Sequence, residues 1–222
     1  MKVLSRRRTR ANAKAIPEDP RLVLQAASLV LAYPDEQLLA NLDTIEAALA
    51  GTSAYEQFLP VLTHLREGRP GDEVDPRTLL ARLQAFHVAE FDLSRKHALH
   101  LSYWTDGDTR RRGASLVELQ QAYRDSDLDI DLRGELPDYL PVMLEFAAAS
   151  PDGGLALLQR FRASLELIRL ALVADDLPHA GVLAAVCDCL PGESAQTRAE
   201  VQARFGTPQP VEFVGLSETA RS

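Results

Sequence analysis

From Arg21 to Ala32 almost every position is apolar or small, with Leu22, Val23, Leu24, Ala26, Ala27, Leu29, Val30 and Leu31 broken only by Gln25 and Ser28. Such a run reads as a helix buried on most of its sides, and Pro34 stops it because the residue before a proline is steered out of the α region. Asp35 is placed to cap a second helix, in which Leu38, Leu39, Leu42, Ile45 and Leu49 recur every three or four residues until Gly51 ends it. A third helix spans Tyr55 to Leu65. The breakers and charges between Glu67 and Pro76 then read as an exposed loop. Leu79, Leu83, Phe86 and Glu90 continue the helical spacing, followed by a short apolar set at Leu99, Leu101 and Tyr103, with Asp92 and Ser94 placed as caps. Trp104 to Arg112 reads as a polar turn. A helix through Leu116, Leu119, Gln120 and Tyr123 precedes an acidic loop, Asp125 to Glu135.

The later chain is equally periodic. One helix is predicted from about Tyr139 to Ala149, with Asp138 as its cap and Pro141 in its first turn, where a missing amide hydrogen costs little. A single longer helix is predicted through Leu155, Leu158, Phe161, Leu165, Ile168 and Leu172. Pro178 opens another that runs through Val186 and closes at Gly192, and a short polar helix spans Ala195 to Phe205. Alternation of the strand kind appears only at Val211 to Val214, and no fixed-period repeat is present. The pattern therefore predicts an all-α fold: a single-domain helical bundle of roughly eight or nine helices over residues 20–205. It is flanked by a basic tail, 1–19, and a second tail, 206–222, both expected to be disordered.

Composition narrows the function classes. A chain of 222 residues with 46% apolar content can bury one sizeable core. Its net charge of −8 argues against a surface made for nucleic acid or anionic lipid, and no apolar stretch reaches the roughly 20 residues that cross a bilayer. The N-terminal run Arg6, Arg7, Arg8 and Arg10 invites reading as an export signal, but Glu18, Asp19 and Pro20 separate it from the apolar run. Cys187 and Cys189 stand one residue apart with no other cysteine, so no disulfide framework is possible, which suits a reducing cytosol. A cytoplasmic protein without stable membrane insertion is expected.

Catalytic and metal-binding signals are missing. Neither phosphate-cradling glycine loops nor a nucleophile elbow occur, so no catalytic residue, metal or cofactor is assigned and the chain is not expected to be an enzyme. The Cys187-x-Cys189 spacing is too tight for the usual zinc half-site. His97 and His100 share a ligand-like spacing without an acidic partner at matching pitch, and His87 stands alone. Two charged regions stand out: a positive one at Arg95, Lys96, Arg110, Arg111 and Arg112, and a negative one from Asp125 to Asp138. With Asp138 as a cap, Asp138 and Glu145 fall two turns apart on one helix face, beside a ridge of Leu140, Met143, Leu144 and Ala147. A carboxylate stripe beside an apolar ridge suits a basic, amphipathic client segment.

Two stretches carry a family resemblance. Glu90-Phe91-Asp92-Leu93-Ser94-Arg95-Lys96-His97-Ala98-Leu99-His100-Leu101-Ser102-Tyr103, with Gly107 to Gly113 and Leu116 to Tyr123 after it, resembles the central signature of the NarJ chaperones. Gly134-Glu135-Leu136-Pro137-Asp138-Tyr139-Leu140-Pro141-Val142-Met143-Leu144-Glu145-Phe146 resembles their second signature. Tyr139 stands where the wider TorD and DmsD group carries histidine. The resemblance covers about residues 20–190. It implies a helical chaperone that binds the apo catalytic (alpha) subunit of a respiratory nitrate reductase, chiefly at its N-terminal segment. The chaperone would hold that subunit for molybdenum cofactor insertion without joining the mature enzyme. The candidate client contacts are Asp92, Tyr103, Asp138, Tyr139 and Glu145, and the chaperone is expected to be a monomer or weak dimer that binds no nucleic acid. The alternative is a pterin-cofactor or nucleotide-binding maturation factor, with Arg95, Arg110, Arg111 and Arg112 as anion contacts.

Overall fold

The computed structural model describes residues 20–68, 74–107, 109–126, 128–132 and 134–206, so the expected 1–19 tail, the Val211 to Val214 alternation and nearly all of the second tail lie outside it. The helices in chain order are α1 (Pro20–Leu31), α2 (Glu36–Ala40), α3 (Leu42–Leu49), α4 (Tyr55–Glu67) and α5 (Pro76–His87). A π-helical turn, Val88–Asp92, follows. Then come α6 (Leu101–Asp106), α7 (Arg110–Arg124), α8 (Leu140–Ala149), α9 (Pro151–Arg160), α10 (Arg162–Ala174), α11 (Ala180–Asp188) and α12 (Arg198–Phe205). The all-α expectation holds, and among the described residues the extended structure amounts to one isolated bridge, His100 to Tyr139.

Among the described residues there are more α-helices than expected because two predicted ones are broken and α6 runs into the stretch expected as a polar turn. The break between α2 and α3 falls at Asn41, whose side-chain amide donates to the Gln37 carbonyl at 2.9 Å and competes with the helical ladder. The long helix through Leu172 breaks at Phe161, at φ −96° and ψ 20°, and the neighbours Phe161 and Arg162 are both buried. Trp104, expected in a polar turn, is instead 6% exposed in α6 and donates its indole N–H to the Ala98 carbonyl at 2.8 Å.

At the centre, α1 lies against α8. Ser28 Oγ donates to the Pro141 carbonyl at 2.8 Å and Arg21 Nε to the Ala148 carbonyl at 3.1 Å, so a step of seven residues forward on one helix matches seven backward on the other. The two helices are antiparallel, and Val23, Leu24, Ala27, Leu31, Leu140, Met143, Leu144 and Ala147 are buried along them. Two crossings depend on glycine. A Cβ on Gly154 would lie 2.2 Å from Ala147 Cα, and one on Gly181 would lie 2.0 Å from the Gln57 carbonyl oxygen, so α9 approaches α8, and α11 approaches α4, backbone to backbone.

One charged network is sealed inside. Arg162 Nε donates to Glu166 Oε1 at 2.9 Å and Nη1 to the Cys187 carbonyl at 3.0 Å, while Arg169 Nε donates to Glu166 Oε2 at 2.9 Å. Arg169 also reaches the Ala195 carbonyl, so the network ties the segment after α11 to α10. Each buried charge has an opposite charge and further hydrogen bonds, the condition under which such a group is tolerated.

Candidate functional site

The stretch before α6 and the stretch before α8 meet across the antiparallel bridge, with Leu101 N donating to the Asp138 carbonyl at 3.0 Å and Leu140 N to the Leu99 carbonyl at 2.8 Å. Asp138 does not cap α8. Tyr139 holds that position with no side-chain cap, and Asp138 is fully buried, with Oδ2 accepting from Ser102 N at 3.2 Å and Ser102 Oγ at 2.5 Å. Ser102 is the second residue of α6, so the carboxylate serves the amide end of a helix 36 positions away. The expected Asp138 and Glu145 stripe is thereby corrected: Glu145 is exposed and Asp138 faces inward.

Around that carboxylate, His100 Nδ1 lies 3.3 Å from Oδ1 and Arg112 Nη2 lies 3.7 Å from Oδ2. Burial alone would raise the Asp138 carboxyl, yet the hydrogen bonds of His100 and Ser102 and the charges of His100 and Arg112 hold it below the usual carboxylate range. The Arg112 guanidinium also lies 6.0 Å from the Tyr103 ring centroid. From the other side, Tyr123 Oη donates to the Pro137 carbonyl at 2.8 Å, and burial pushes its hydroxyl upward. Asp138, Tyr103 and Arg112 thus form one internal clasp.

Next to the clasp is an open groove of about 580 Å³. Its walls are the C-terminal half of α1, the start of α2, α3, Asp131, Leu132 and Glu135, and the first turns of α8. Apolar Leu29, Tyr33, Leu38, Ile45 and Val142 line it, and Leu29 and Tyr33 remain 40% and 49% exposed. Asp35, Asp131, Glu135 and Glu145 also line it, with no Lys, Arg or His among the described lining residues. Four carboxylates around an apolar floor favour a cation-bearing, partly apolar occupant.

The sequence-predicted contacts divide between these two features. Tyr139 and Glu145 line the groove. Burial, then the charges of Glu135 and Asp92, push the Tyr139 hydroxyl upward. Asp92 is exposed at the end of the π-helical turn, 3.9 Å from His87 Nε2, rather than capping α6. Arg95, Arg110 and Arg111 are exposed, and Arg112 is turned to Asp138.

His97 and His100 also part company. His97 is 2% exposed between Glu90 and Asp175, at 3.2 and 3.1 Å, whereas His100 faces Asp138. Among the described residues no group of three or more His, Cys, Asp and Glu side chains is placed to hold a metal, and no helix is long and apolar enough to cross a membrane. Sequence reasoning marked the acidic stretch that holds Asp131 and Glu135 as able to attract a basic peptide, but passed over Asp35, Leu29 and Tyr33 as groove residues. For Leu29 the available signal was its place in an apolar run too continuous to be buried on every side, and it is left 40% exposed.

The described residues define an all-helical protein built around an open, carboxylate-lined groove. The chain belongs to the nitrate reductase delta subunit family, whose model matches residues 39–185. It is 30% identical over 166 residues to the protein described as nitrate reductase molybdenum cofactor assembly chaperone NarJ of Bacillus subtilis, covering 74% of this chain and 86% of that one. Escherichia coli K12 NarJ, a nitrate reductase molybdenum cofactor assembly chaperone, is 30% identical over 131 residues, covering 58% of this chain and 52% of that one. The nitrate reductase-like protein NarX of Mycobacterium tuberculosis H37Rv is 39% identical over 174 residues; the match covers 75% of this chain but only 24% of that longer protein. A solved Archaeoglobus fulgidus protein described as a redox enzyme maturation protein shares the fold, with a TM-score of 0.53 at 22% identity over 75% of this chain and 91% of that one.

Proposed function

We propose that this protein is a system-specific, non-catalytic chaperone for a nitrate reductase, and that its client is the apo catalytic (alpha) subunit, engaged chiefly through an N-terminal segment. The observation that carries the reading is the groove, apolar at its base and lined by the carboxylates of Asp35, Asp131, Glu135 and Glu145. A basic amphipathic segment would bury apolar side chains against Leu29, Tyr33 and Val142 while its cations meet the carboxylates. The relatives whose names describe molybdenum cofactor assembly chaperones support the enzyme system. The chaperone holds the apo subunit until the molybdenum cofactor is inserted, acts in the cytoplasm as a monomer or weak dimer, and leaves before the mature enzyme works.

Within this reading Tyr139 and Glu145 touch the client. Asp138, Tyr103 and Asp92 act behind them as positioning residues: Asp138 fixes the entry to α8, and Asp92 shapes the field at Tyr139. Isothermal titration with a synthetic peptide copying the client's N-terminal segment tests the assignment. Glu145→Lys should weaken binding about tenfold, as a 1.4 kcal/mol loss would, with unchanged helicity; equal affinity in the two proteins would move the client elsewhere.

A further inference from the structure

The groove stops near Glu145, but α1 and α8, which form part of its wall, run on past it. Their antiparallel register, set by Ser28 on the Pro141 carbonyl and Arg21 on the Ala148 carbonyl, fixes which residues stand side by side. Leu29 lies near the level of Val142, Gln25 near that of Glu145, and Leu22 near that of Ala149. Leu29, Val142 and Glu145 all face the groove. Seven residues fall about 20° short of two full turns, so Leu22 lies on the side of α1 that carries Leu29, and Ala149 on the side of α8 that carries Val142.

Exposure agrees with that placement. Leu22 and Leu29 are 41% and 40% exposed and Gln25 is half-buried, whereas Val23, Leu24, Ala26 and Ala27 are buried. On α8, Glu145 and Ala149 are exposed. The seam between the helices therefore reads apolar at Leu29 and Val142, acidic at Glu145 beside Gln25, and apolar again at Leu22 and Ala149. The two apolar stations are about 10.5 Å apart at 1.5 Å per residue.

That spacing selects the conformation of an occupant. An extended segment covers it in about three residues, an odd step that turns the second side chain away from the seam. A helix lying along the seam returns to the same face after seven residues, and its third or fourth residue falls between the stations, opposite Glu145.

We propose that the client segment binds this seam as an amphipathic helix, with apolar residues at i and i+7 on the two stations and a Lys or Arg at i+3 or i+4 on Glu145. The assignment rests on the groove being the client site and extends that site along α1 and α8 by about two helical turns. Leu22 and Ala149 become client contacts, and a client with fewer than about eight helical residues reaches only one station.

The test titrates the full chain with a synthetic peptide copying the client's N-terminal segment, following amide shifts by nuclear magnetic resonance and affinity by calorimetry. Amides of Leu22, Gln25 and Ala149 should shift together with those of Leu29 and Glu145. Leu22→Gln should weaken binding about fourfold, from the part of the leucine side chain left to bury, and Leu22→Met should restore it, both with unchanged melting temperature. Binding lost in Glu145→Lys should return with a peptide whose cation between two apolar residues seven apart is replaced by Glu. Shifts confined to the groove, with Leu22→Gln binding as tightly as wild type, would overturn the seam and leave the groove as the client site. Rescue by replacing a cation outside that frame would overturn the helical register. Unshifted groove amides, with Glu145→Lys binding as wild type does, would remove the groove reading and the seam with it.

Discussion

Replacing Asp138 with Asn keeps the shape of a fully buried side chain and removes its charge. The carboxylate accepts from both the amide and the hydroxyl of Ser102 and faces His100 and Arg112. Hydrogen bonds to a charged group contribute roughly 1.5–3 kcal/mol each, but the two from Ser102 share one oxygen and do not add. His100 and Arg112 keep 31% and 21% side-chain exposure, so water compensates much of their loss. The estimated destabilisation is about 3 kcal/mol, or about 6–12 °C in melting temperature for a domain of this size. The pH profile separates charge from shape. Because the folded carboxyl is held below its ordinary value, its contribution is present above the unfolded value of about 3.9 and is lost as the pH falls through the folded value. Thermal unfolding followed by circular dichroism should therefore give a wide gap between wild type and Asp138→Asn at pH 7 that narrows below about pH 4. A melting shift under about 1 °C, or a gap constant between neutral and acid pH, would refute the clasp as the source of this stability.

Other outcomes follow from the packing. Gly181→Ala places a methyl within 2.0 Å of the Gln57 carbonyl oxygen, and urea unfolding should show a loss of at least about 1–3 kcal/mol, because α4 and α11 must separate. Burial, with the Glu166 charge at Cys187 and the Asp188 charge at Cys189, pushes both thiols up to about 12, so a thiol reagent at pH 8 should modify neither cysteine in the native protein and both in denaturant. His179, packed against Phe86 and Phe91, is lowered to about 3 by burial and then by the charges of His64 and His87, so the native state resists its protonation. Stability should fall as the pH drops below about 6.5, by up to about 1.4 kcal/mol per pH unit from this group, and His179→Gln should flatten that slope.

The amphipathic helices were legible because their signal is local. Apolar spacing located α1, α4 and α8, and Pro20, Pro76 and Pro151 each stand in the first turn of a helix. The breaks at Asn41 and Phe161 were not, since a helical pattern runs straight through both and only a side-chain hydrogen bond or a core partner interrupts it. Asp138 shows the same limit at the site. An Asp ahead of an apolar run reads as that helix's own cap, whereas its partner here is Ser102, brought across by the bridge between His100 and Tyr139. Tyr139 and Glu145 could be named from the chain. The groove they line could not, because Leu29, Ile45, Asp131 and Glu135 come from separate elements and meet only in the folded protein.

Titration of the purified chain with the client-derived N-terminal peptide, repeated with Glu145→Lys and with Asp131→Lys/Glu135→Lys, tests the central claim most directly. The account predicts saturable binding that weakens about tenfold for Glu145→Lys and further for the double reversal, with melting temperatures within about 2 °C of wild type. Binding that is equally tight in all three proteins would contradict it.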